Sequence, residues 1–322
     1  MALFFRKRKP QPNPEEPWKD HSSVSRETGH SPRRAAGAGD PEAEYGDEMP
    51  AAMRGIRRLP RPTHPRIIVV ANQKGGVGKT TTTVNLATAL AMGGLNVLVV
   101  DNDPQGNAST ALGVEHGDGV RGTYEVLMDG VGIIEHAQPS TQSPNLHVLP
   151  AAIDLAAAEL ELVNERGREH RMRDALRQYI DESGVDYVFL DCPPSLGLLT
   201  LNALVAATEI LVPIQTEYYA LEGLSQLLRT IDRVKGNLND DLVLSTILLT
   251  MYDNRTNLSR EVADEVRSHF PKETLPIEIP RSVKIAEAPS FGQTVMTYQG
   301  RSVGAIAYQE AAEQIAARGA EQ

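Results

Sequence analysis

The sequence has few of the residues that several classes of site and structure require. Its 322 residues include one cysteine, Cys192, which excludes an internal disulfide and a multi-cysteine metal or iron–sulfur site within one chain. There is no run of eighteen uncharged apolar residues, so no transmembrane helix is expected, and the opening MALFF is too short for a signal peptide. With 41% hydrophobic residues available for a core, these absences predict a globular protein of a reducing, intracellular (cytoplasmic) compartment.

Excess positive charge is also absent. The formal net charge is −10, so the overall field does not favour nucleic acid. Residues 1–65 carry 12 Lys and Arg against 9 Asp and Glu, which leaves 20 against 33 in the remainder. Any nucleic-acid contact made by the main body therefore requires a local basic patch.

The first 65 residues differ from the rest in composition. They contain ten of the 21 prolines and little apolar periodicity, which predicts a disordered tail over 1–65 and one domain over 66–322. Within the tail, residues 3–9 (LFFRKRK) are a candidate contact for a membrane surface or DNA, and residues 23–28 are a candidate docking peptide. A polar or membrane-associated partner is one interpretation of the tail, and a solvated tail without a fixed partner is the other.

Buried strands and helices alternate from residue 66 onward. Unbroken apolar runs predict strands over 67–71, 96–100, 186–190, 209–214 and 242–249. Helical segments are predicted around 80–92, 151–182, 197–208, 217–235, 257–270 and 302–318. This alternation predicts an α/β fold with a doubly wound, mostly parallel sheet and helices on both faces.

A glycine-rich turn joins the first predicted strand to the first helix. Residues 74–80 read KGGVGKT, and such glycines let backbone amides turn toward an anion at a helix N-terminus. Lys79 would reach the outer phosphates, and the Thr80 hydroxyl would bind Mg²⁺. The strict pattern G-x-x-x-x-G-K-[ST] requires glycine at position 73, where this chain has Gln73. The segment predicts a phosphate-binding loop.

Lys74 is a second lysine at the mouth of this loop. Because Lys79 already supplies a cation inside the loop, Lys74 is interpreted as pointing outward, toward phosphates held by a partner subunit. There it would stabilise charge that develops in phosphoryl transfer. An ordinary solvent-facing lysine is the alternative.

Three aspartates follow two other predicted strands. Asp101 and Asp103 come after the strand at 96–100, and Asp191 comes after the strand at 186–190. The carboxyl ends of parallel strands form the edge where ligands of such sheets bind. A magnesium nucleotide site needs carboxylates near the metal and one group that positions the attacking water. Helix capping is the alternative role for these aspartates.

Four segments in this order resemble the ParA/MinD group of deviant Walker A P-loop ATPases, and within it the ParA (Soj-like) chromosome-partition proteins. They are residues 72–82 (NQKGGVGKTTT), 101–108 (DNDPQGNA), 191–197 (DCPPSLG) and 279–290 (IPRSVKIAEAPS). The resemblance extends over about residues 66–318. It implies an ATPase that forms a homodimer with ATP, in which Lys74 acts across the interface.

The resemblance also implies a role for each site residue. It makes Asp103 the catalytic residue that positions water and places Asp101, Asp191 and Thr80 around Mg²⁺. The residues that it assigns to ATP are Lys74, Gly75, Gly76, Val77, Gly78, Lys79, Thr80, Thr81 and Pro280.

The implied function is slow ATP hydrolysis that drives chromosome segregation. Family members bind double-stranded DNA of the nucleoid without sequence preference and are stimulated by a ParB-type centromere-binding partner. By position, Arg255 and Lys284 match DNA-binding residues, and Arg281 is a nearby candidate. The chain departs from the usual pattern at Lys284, where arginine is common, and at Asn102, where an apolar residue is usual.

Two other functions remain open at this point. A MinD-like positioning ATPase would carry a basic amphipathic C-terminal helix, whereas residues 302–318 contain Glu310, Glu313 and a single cation, Arg318. A nucleotide-locked scaffold for another cargo would show no turnover that responds to a partner.

Overall fold

The structure, a computed structural model, describes residues 57–218 and 220–321, apart from the side chain of Glu222. The described strands are β1 (Arg66–Val70), β2 (Val97–Asp101), β3 (Gln138–Pro139), β4 (Leu146–Leu149), β5 (Tyr187–Asp191), β6 (Glu209–Gln215), β7 (Val243–Tyr252) and β8 (Thr274–Pro280). The described α-helices are α1 (Lys79–Met92), α2 (Asn107–Ala111), α3 (Thr123–Met128), α4 (Ile133–His136), α5 (Leu155–Glu161), α6 (Arg171–Ser183), α7 (Leu198–Ala206), α8 (Ala220–Lys235), α9 (Asn257–His269), α10 (Val283–Glu287), α11 (Val295–Tyr298) and α12 (Val303–Ala320).

The strands form one sheet in the order β3-β4-β2-β5-β1-β6-β7-β8. Neighbouring strands are parallel throughout, except that β3 and β4 are antiparallel. The first strand therefore lies in the middle of the sheet, where the strand order reverses, and this is where open α/β sheets bind ligands. The predicted doubly wound, mostly parallel sheet is confirmed.

Alternate residues of the central strand pack into two separate cores. Ile68 and Val70 pack in a core with α1 and α12, whereas Val69 packs in a core with α6 and α7. A strand buried on both faces has no polar side, which explains why its sequence is an unbroken apolar run.

The structure differs from the predicted elements in one helical region and in several short elements that were not predicted. The helical region predicted over 151–182 is two helices, α5 and α6, because a 3₁₀ turn at Leu162–Asn164 and a left-handed Gly167 (φ 64°) interrupt it. Strands β3, β4 and β8 were not predicted, nor were the short helices α2, α3, α4, α10 and α11. β3 and β4 are two and four residues long. β8 contains two prolines, which edge strands tolerate because their outer amides need no partner.

Part of the predicted tail contacts the domain. The Leu59 amide donates to the Gly93 carbonyl at 2.9 Å, and its side chain packs at the end of α1. Arg61 forms an ion pair with Asp186, with 3.0 Å between Nη1 and Oδ1. Contacts with the domain therefore begin before the predicted boundary at Arg66. The features predicted for residues 3–9 and 23–28 lie outside the described residues.

None of the helices in the described ranges is both long enough and apolar enough to cross a membrane.

Candidate functional site

The register of the central strands brings the phosphate loop beside two buried carboxylates. Asp101, the last residue of β2, pairs directly with Asp191, the last residue of β5. On the other side of β5, Val70 at the end of β1 also pairs with Asp191. Because the loop leaves the sheet directly after β1, residues that lie far apart in the sequence meet at one edge.

The glycines of residues 74–80 form an open cradle at the start of α1. Gly76 and Gly78 have left-handed backbones, with φ of 74° and 89°. At Gly75, Gly76 and Gly78 no atom lies within 4 Å of the position that a Cβ would take. Glycine is required at the two left-handed positions by conformation, and its backbone faces free space. The adjoining cavity, of about 250 Å³, is lined by Gly75, Gly76, Gly78, Lys79, Thr80, Thr81, Asp103, Pro194 and Met251.

Lys79, the first residue of α1, is the buried cation of the cradle. Only 7% of its surface is exposed, and this burial lowers the pKa of the ammonium group. The negative charge of Asp191 partly offsets the effect of burial. An anion in the cradle would therefore stabilise the charged form of this lysine.

Asp191 has one carboxylate oxygen without a partner. Its Oδ1 accepts a hydrogen bond from Thr83 at 3.0 Å, but Oδ2 is buried and has no hydrogen-bond partner among the described residues. Burial, together with the charge of Asp101, raises the pKa of Asp191 to about 7. A buried acceptor of this kind beside a phosphate loop fits a water in the shell of a bound cation.

The Asp101 carboxylate is occupied by the loop that follows it. Its Oδ2 accepts from the Ser109 amide at 2.8 Å and the Ser109 hydroxyl at 2.7 Å, and its Oδ1 accepts from the Asp103 amide at 3.3 Å. Burial raises the pKa of Asp101 to about 6. Asp101 therefore holds the loop that presents Asp103 to the cavity.

Within the described ranges, no three His, Cys, Asp or Glu side chains are grouped so that they could hold a metal ion by themselves. A site with so few protein ligands fits Mg²⁺, which usually binds through one or two protein groups, waters and substrate phosphates. Thr80 lines the cavity, and Asp191 Oδ2 is the buried oxygen without a partner among the described residues, so these two groups are the candidates for it.

Asp103 and Lys74 differ in their relation to the cavity. Asp103 lines the cavity, and its Oδ1 accepts a hydrogen bond from the Gln105 amide at 3.0 Å. Lys74 does not line the cavity of its own subunit. Its Nζ lies 2.6 Å from Oε2 of Glu217, in an ion pair whose side chains are 39% and 50% exposed. The structure thus separates an inner lysine from an outer one.

A second cavity, of about 310 Å³ and mainly apolar, adjoins the cradle. Its walls include Gly78, Thr81, Pro280, Ile285 and Tyr308. Pro280, which the resemblance assigns to ATP, therefore lines the same cavity as the start of α1.

Met251 is a site residue that the sequence reasoning missed. It lines both cavities and, of the non-glycine residues described, is the one with a left-handed backbone (φ 51°). The neighbouring Thr250 hydroxyl donates to the Val77 carbonyl at 2.8 Å, which attaches the end of β7 to the phosphate loop. No local sequence signal marks Met251, because its position depends on a contact between residues 173 apart.

Comparison with known proteins agrees with this arrangement. A family model described as an AAA domain matches residues 65–244. The chain is 52% identical over 244 residues to the chromosome partitioning protein ParA of Myxococcus xanthus. The aligned region covers 76% of this chain and 85% of that protein. It is 49% identical over 254 residues to the sporulation initiation inhibitor protein Soj of Bacillus subtilis, over 79% of this chain and 99% of that protein. The chain belongs to the ParA/Soj family of chromosome-partition ATPases. The predicted family resemblance is confirmed.

Solved structures similar to this ParA/Soj-family chain include nucleotide complexes. One is cobyrinic acid a,c-diamide synthase from Mycobacterium smegmatis with a bound ATP analogue and magnesium, 40% identical with a TM-score of 0.67 over 78% of this chain and 94% of that one. Another is the cell division ATPase MinD of Pyrococcus furiosus, 27% identical with a TM-score of 0.64 over 78% and 98%. Both align along almost their whole length, so the P-loop NTPase fold is shared throughout.

Of the three predicted DNA-binding cations of this ParA/Soj-family chain, Arg281 lines the second cavity. Arg255 and Arg281 border one surface depression, and Lys284 is the second residue of the short helix α10. Arg255 forms an ion pair with Asp253 at 2.7 Å, and its hydrogen bonds lower the pKa of Asp253 to about 2. Lys284 lies 3.1 Å from Glu287. The structure therefore brings Arg255 and Arg281 together, while Arg255 and Lys284 each lie against a neighbouring carboxylate.

Proposed function

We propose that this ParA/Soj-family protein is a dimerising, Mg²⁺-dependent ATPase that binds double-stranded DNA without sequence preference. In this proposal it drives segregation of the chromosome origin with a ParB-type centromere-binding partner. The observation that carries the proposal is the division between two lysines: Lys79 is buried inside the cradle, and Lys74 lies outside it. Because Lys74 lies at the opening of the cradle and does not line the cavity there, it is available to contact a phosphate bound by another subunit.

The residues of one subunit account for nucleotide binding. Backbone amides from Gly75 to Thr81 hold the phosphates, Lys79 neutralises them, and the base occupies the apolar cavity beside Pro280. Thr80 and Asp191 would hold Mg²⁺. When bound, Mg²⁺ neutralises charge that develops on the β- and γ-phosphates.

Hydrolysis requires groups on both sides of the phosphates. Asp103 orients the attacking water, because its carboxylate lines the cavity and is directed there by the loop that Asp101 holds. Lys74 of the partner adds a cation where negative charge increases in the transition state. Pairing also excludes water from the phosphates, which strengthens this interaction.

DNA binding by an acidic domain is explained by gathering a few cations on one surface. Arg255 and Arg281 border one depression, Lys284 follows Val283 of the same depression in the chain, and a dimer would present each of these cations twice. Phosphates of DNA would replace the acidic partners Asp253 and Glu287 of these side chains. The protein would then act on the nucleoid in the cytoplasm, with binding that falls steeply as salt increases.

The position of the last helix does not favour a MinD-like membrane role. α12 packs into the core with α1 and β8, and the side chain of Arg318 donates to the carbonyls of Ser245 and Glu273. A helix held in this way does not present a basic face to an anionic surface. A scaffold without regulated turnover leaves the outward position of Lys74 unexplained.

The proposed function is tested by measuring molecular mass in gel filtration with ADP, with a non-hydrolysable ATP analogue and Mg²⁺, and with the analogue plus DNA. The expected result is a monomer with ADP, a dimer with the analogue and a dimer on DNA. A protein that stays monomeric when saturated with the analogue and Mg²⁺ contradicts the proposal.

We expect Arg255→Glu to lose DNA binding while it retains slow ATP hydrolysis. The Arg255 side chain is 84% exposed and does not line the cavity at the cradle, so the substitution should remove a phosphate contact and leave the nucleotide site intact. In a dimer two contacts are lost, and a plot of log affinity against log salt should become shallower by about 2. Filter binding over a salt series measures this slope.

The matched control for this prediction is Arg177→Glu, which reverses the charge of an exposed arginine on α6. It should bind DNA as the wild type does. Unchanged DNA affinity in Arg255→Glu would show that the basic surface is not the binding site.

A further inference from the structure

We infer that Glu217 is a positioning residue for Lys74: it holds this lysine in the unpaired subunit and releases it when a second subunit presents a triphosphate. The inference rests on the proposed function, in which Lys74 acts across a dimer interface. It adds a residue outside the four motifs, in the loop between β6 and α8, that sets how readily two subunits pair.

The Glu217 carboxylate is held in a defined position. Its Oε1 accepts a hydrogen bond from the side-chain amide of Gln215, and its own backbone amide donates to the Gln215 carbonyl at 2.8 Å. The Glu217 carbonyl accepts from the Ala220 amide at 3.0 Å at the start of α8. These hydrogen bonds hold the turn that carries Glu217, and the remaining oxygen, Oε2, contacts Lys74.

Lys74 is attached to the same end of β6 through its backbone. Its amide donates to Oδ1 of Asn72 at 3.0 Å, and Nδ2 of Asn72 donates to the Pro213 carbonyl at 2.8 Å. Both the main chain and the side chain of Lys74 are thus connected to β6 and the turn that follows it. This double attachment aligns the lysine at the mouth of the cradle.

The ion pair must open for Lys74 to act on a partner's nucleotide. A carboxylate 2.6 Å from the ammonium group cancels much of its charge, and the same carboxylate would repel a triphosphate brought to that distance. Transfer of Lys74 from Glu217 to the phosphates removes both effects. Each dimer breaks two such pairs, so Glu217 raises the protein concentration at which dimers form.

The test substitutes Glu217→Gln, which keeps the shape of the side chain and removes its charge. Dimerisation is measured by sedimentation velocity with a non-hydrolysable ATP analogue and Mg²⁺. An exposed ion pair contributes a factor of about 1.4 to 5, so the loss of two should lower the dimer dissociation constant roughly two- to thirtyfold. Glu217→Asp, which keeps the charge but shortens the side chain, should give an intermediate value.

Salt separates an electrostatic restraint from a structural effect. At about 1 M salt the screening length falls to about 3 Å, so the wild type and Glu217→Gln should dimerise alike. The control Glu165→Gln removes the acidic partner of another exposed ion pair, 2.6 Å from Arg171, and should leave dimerisation unchanged at every salt concentration.

The possible failures are distinguishable. A wild type that does not dimerise with the analogue overturns the proposed function itself. A wild type that dimerises, together with a folded Glu217→Gln whose dissociation constant is unchanged or higher, overturns only the role of Glu217. A shift that persists undiminished at high salt also overturns it, because a restraint by charge must be screened.

Discussion

Lys74→Ala is expected to bind ATP normally and to show no stimulation of hydrolysis by DNA and a ParB-type partner. Binding persists because Lys79 and the backbone of the cradle are untouched, whereas Lys74 lies outside the cavity of its own subunit. A cation supplied in trans typically accelerates phosphoryl transfer roughly 10³-fold or more, so the stimulated rate should fall to that of the unpaired subunit. Phosphate release with and without the partner measures the effect.

Lys235→Ala is the matched control, because Lys235 is an exposed lysine in the last turn of α8. It should keep full stimulation. Lys74→Arg would separate charge from shape, because arginine keeps the positive charge but is bulkier and donates its hydrogen bonds from a planar guanidinium group. Full stimulation of Lys74→Ala would mean that the lysine is an ordinary surface residue.

Asp103→Ala is expected to form a dimer with ATP that stays on DNA. The carboxylate lines the phosphate cavity without contributing positive charge, so its removal leaves the groups that hold phosphate in place. Hydrolysis should fall about 10²- to 10⁴-fold, the usual contribution of a positioned acid or base. The measurement is the time for which the protein remains on immobilised DNA after unlabelled ADP is added.

An exposed aspartate outside the cavity, Asp118, provides the control. Asp118→Ala should leave DNA at the rate of the wild type. If Asp103→Ala remains monomeric with ATP, Asp103 has a role in pairing and not in the positioning of water.

Much of the fold follows from local patterns. The central strands are unbroken apolar runs because both of their faces are buried, and the five predicted strands correspond to β1, β2, β5, β6 and β7. β3, β4 and β8 escaped prediction because the first two are short and the last carries two prolines at an edge. Their place in the sheet depends on the neighbouring strand, which no local pattern encodes.

The roles of the individual site residues likewise follow only in part from the sequence. Asp101 and Asp191 both follow buried strands, but the structure gives them different surroundings. Two donors of Ser109 engage Asp101, whereas Asp191 keeps one buried oxygen without a partner among the described residues. Ser109 lies eight residues after Asp101, in helix α2, whose position depends on packing. The spacing alone treats the two carboxylates as equivalent.

The sequence by itself determined the glycine-rich turn before α1 and the family, because glycine conformations, a helix start and the ends of apolar strands are set by neighbouring residues. Only the tertiary structure decided which groups complete the cradle. Met251 reaches it through a contact across 173 residues, and Glu217 meets Lys74 across 143. The physical reason is that these partners meet at the carboxyl edge of a sheet whose strand order differs from the order in the chain.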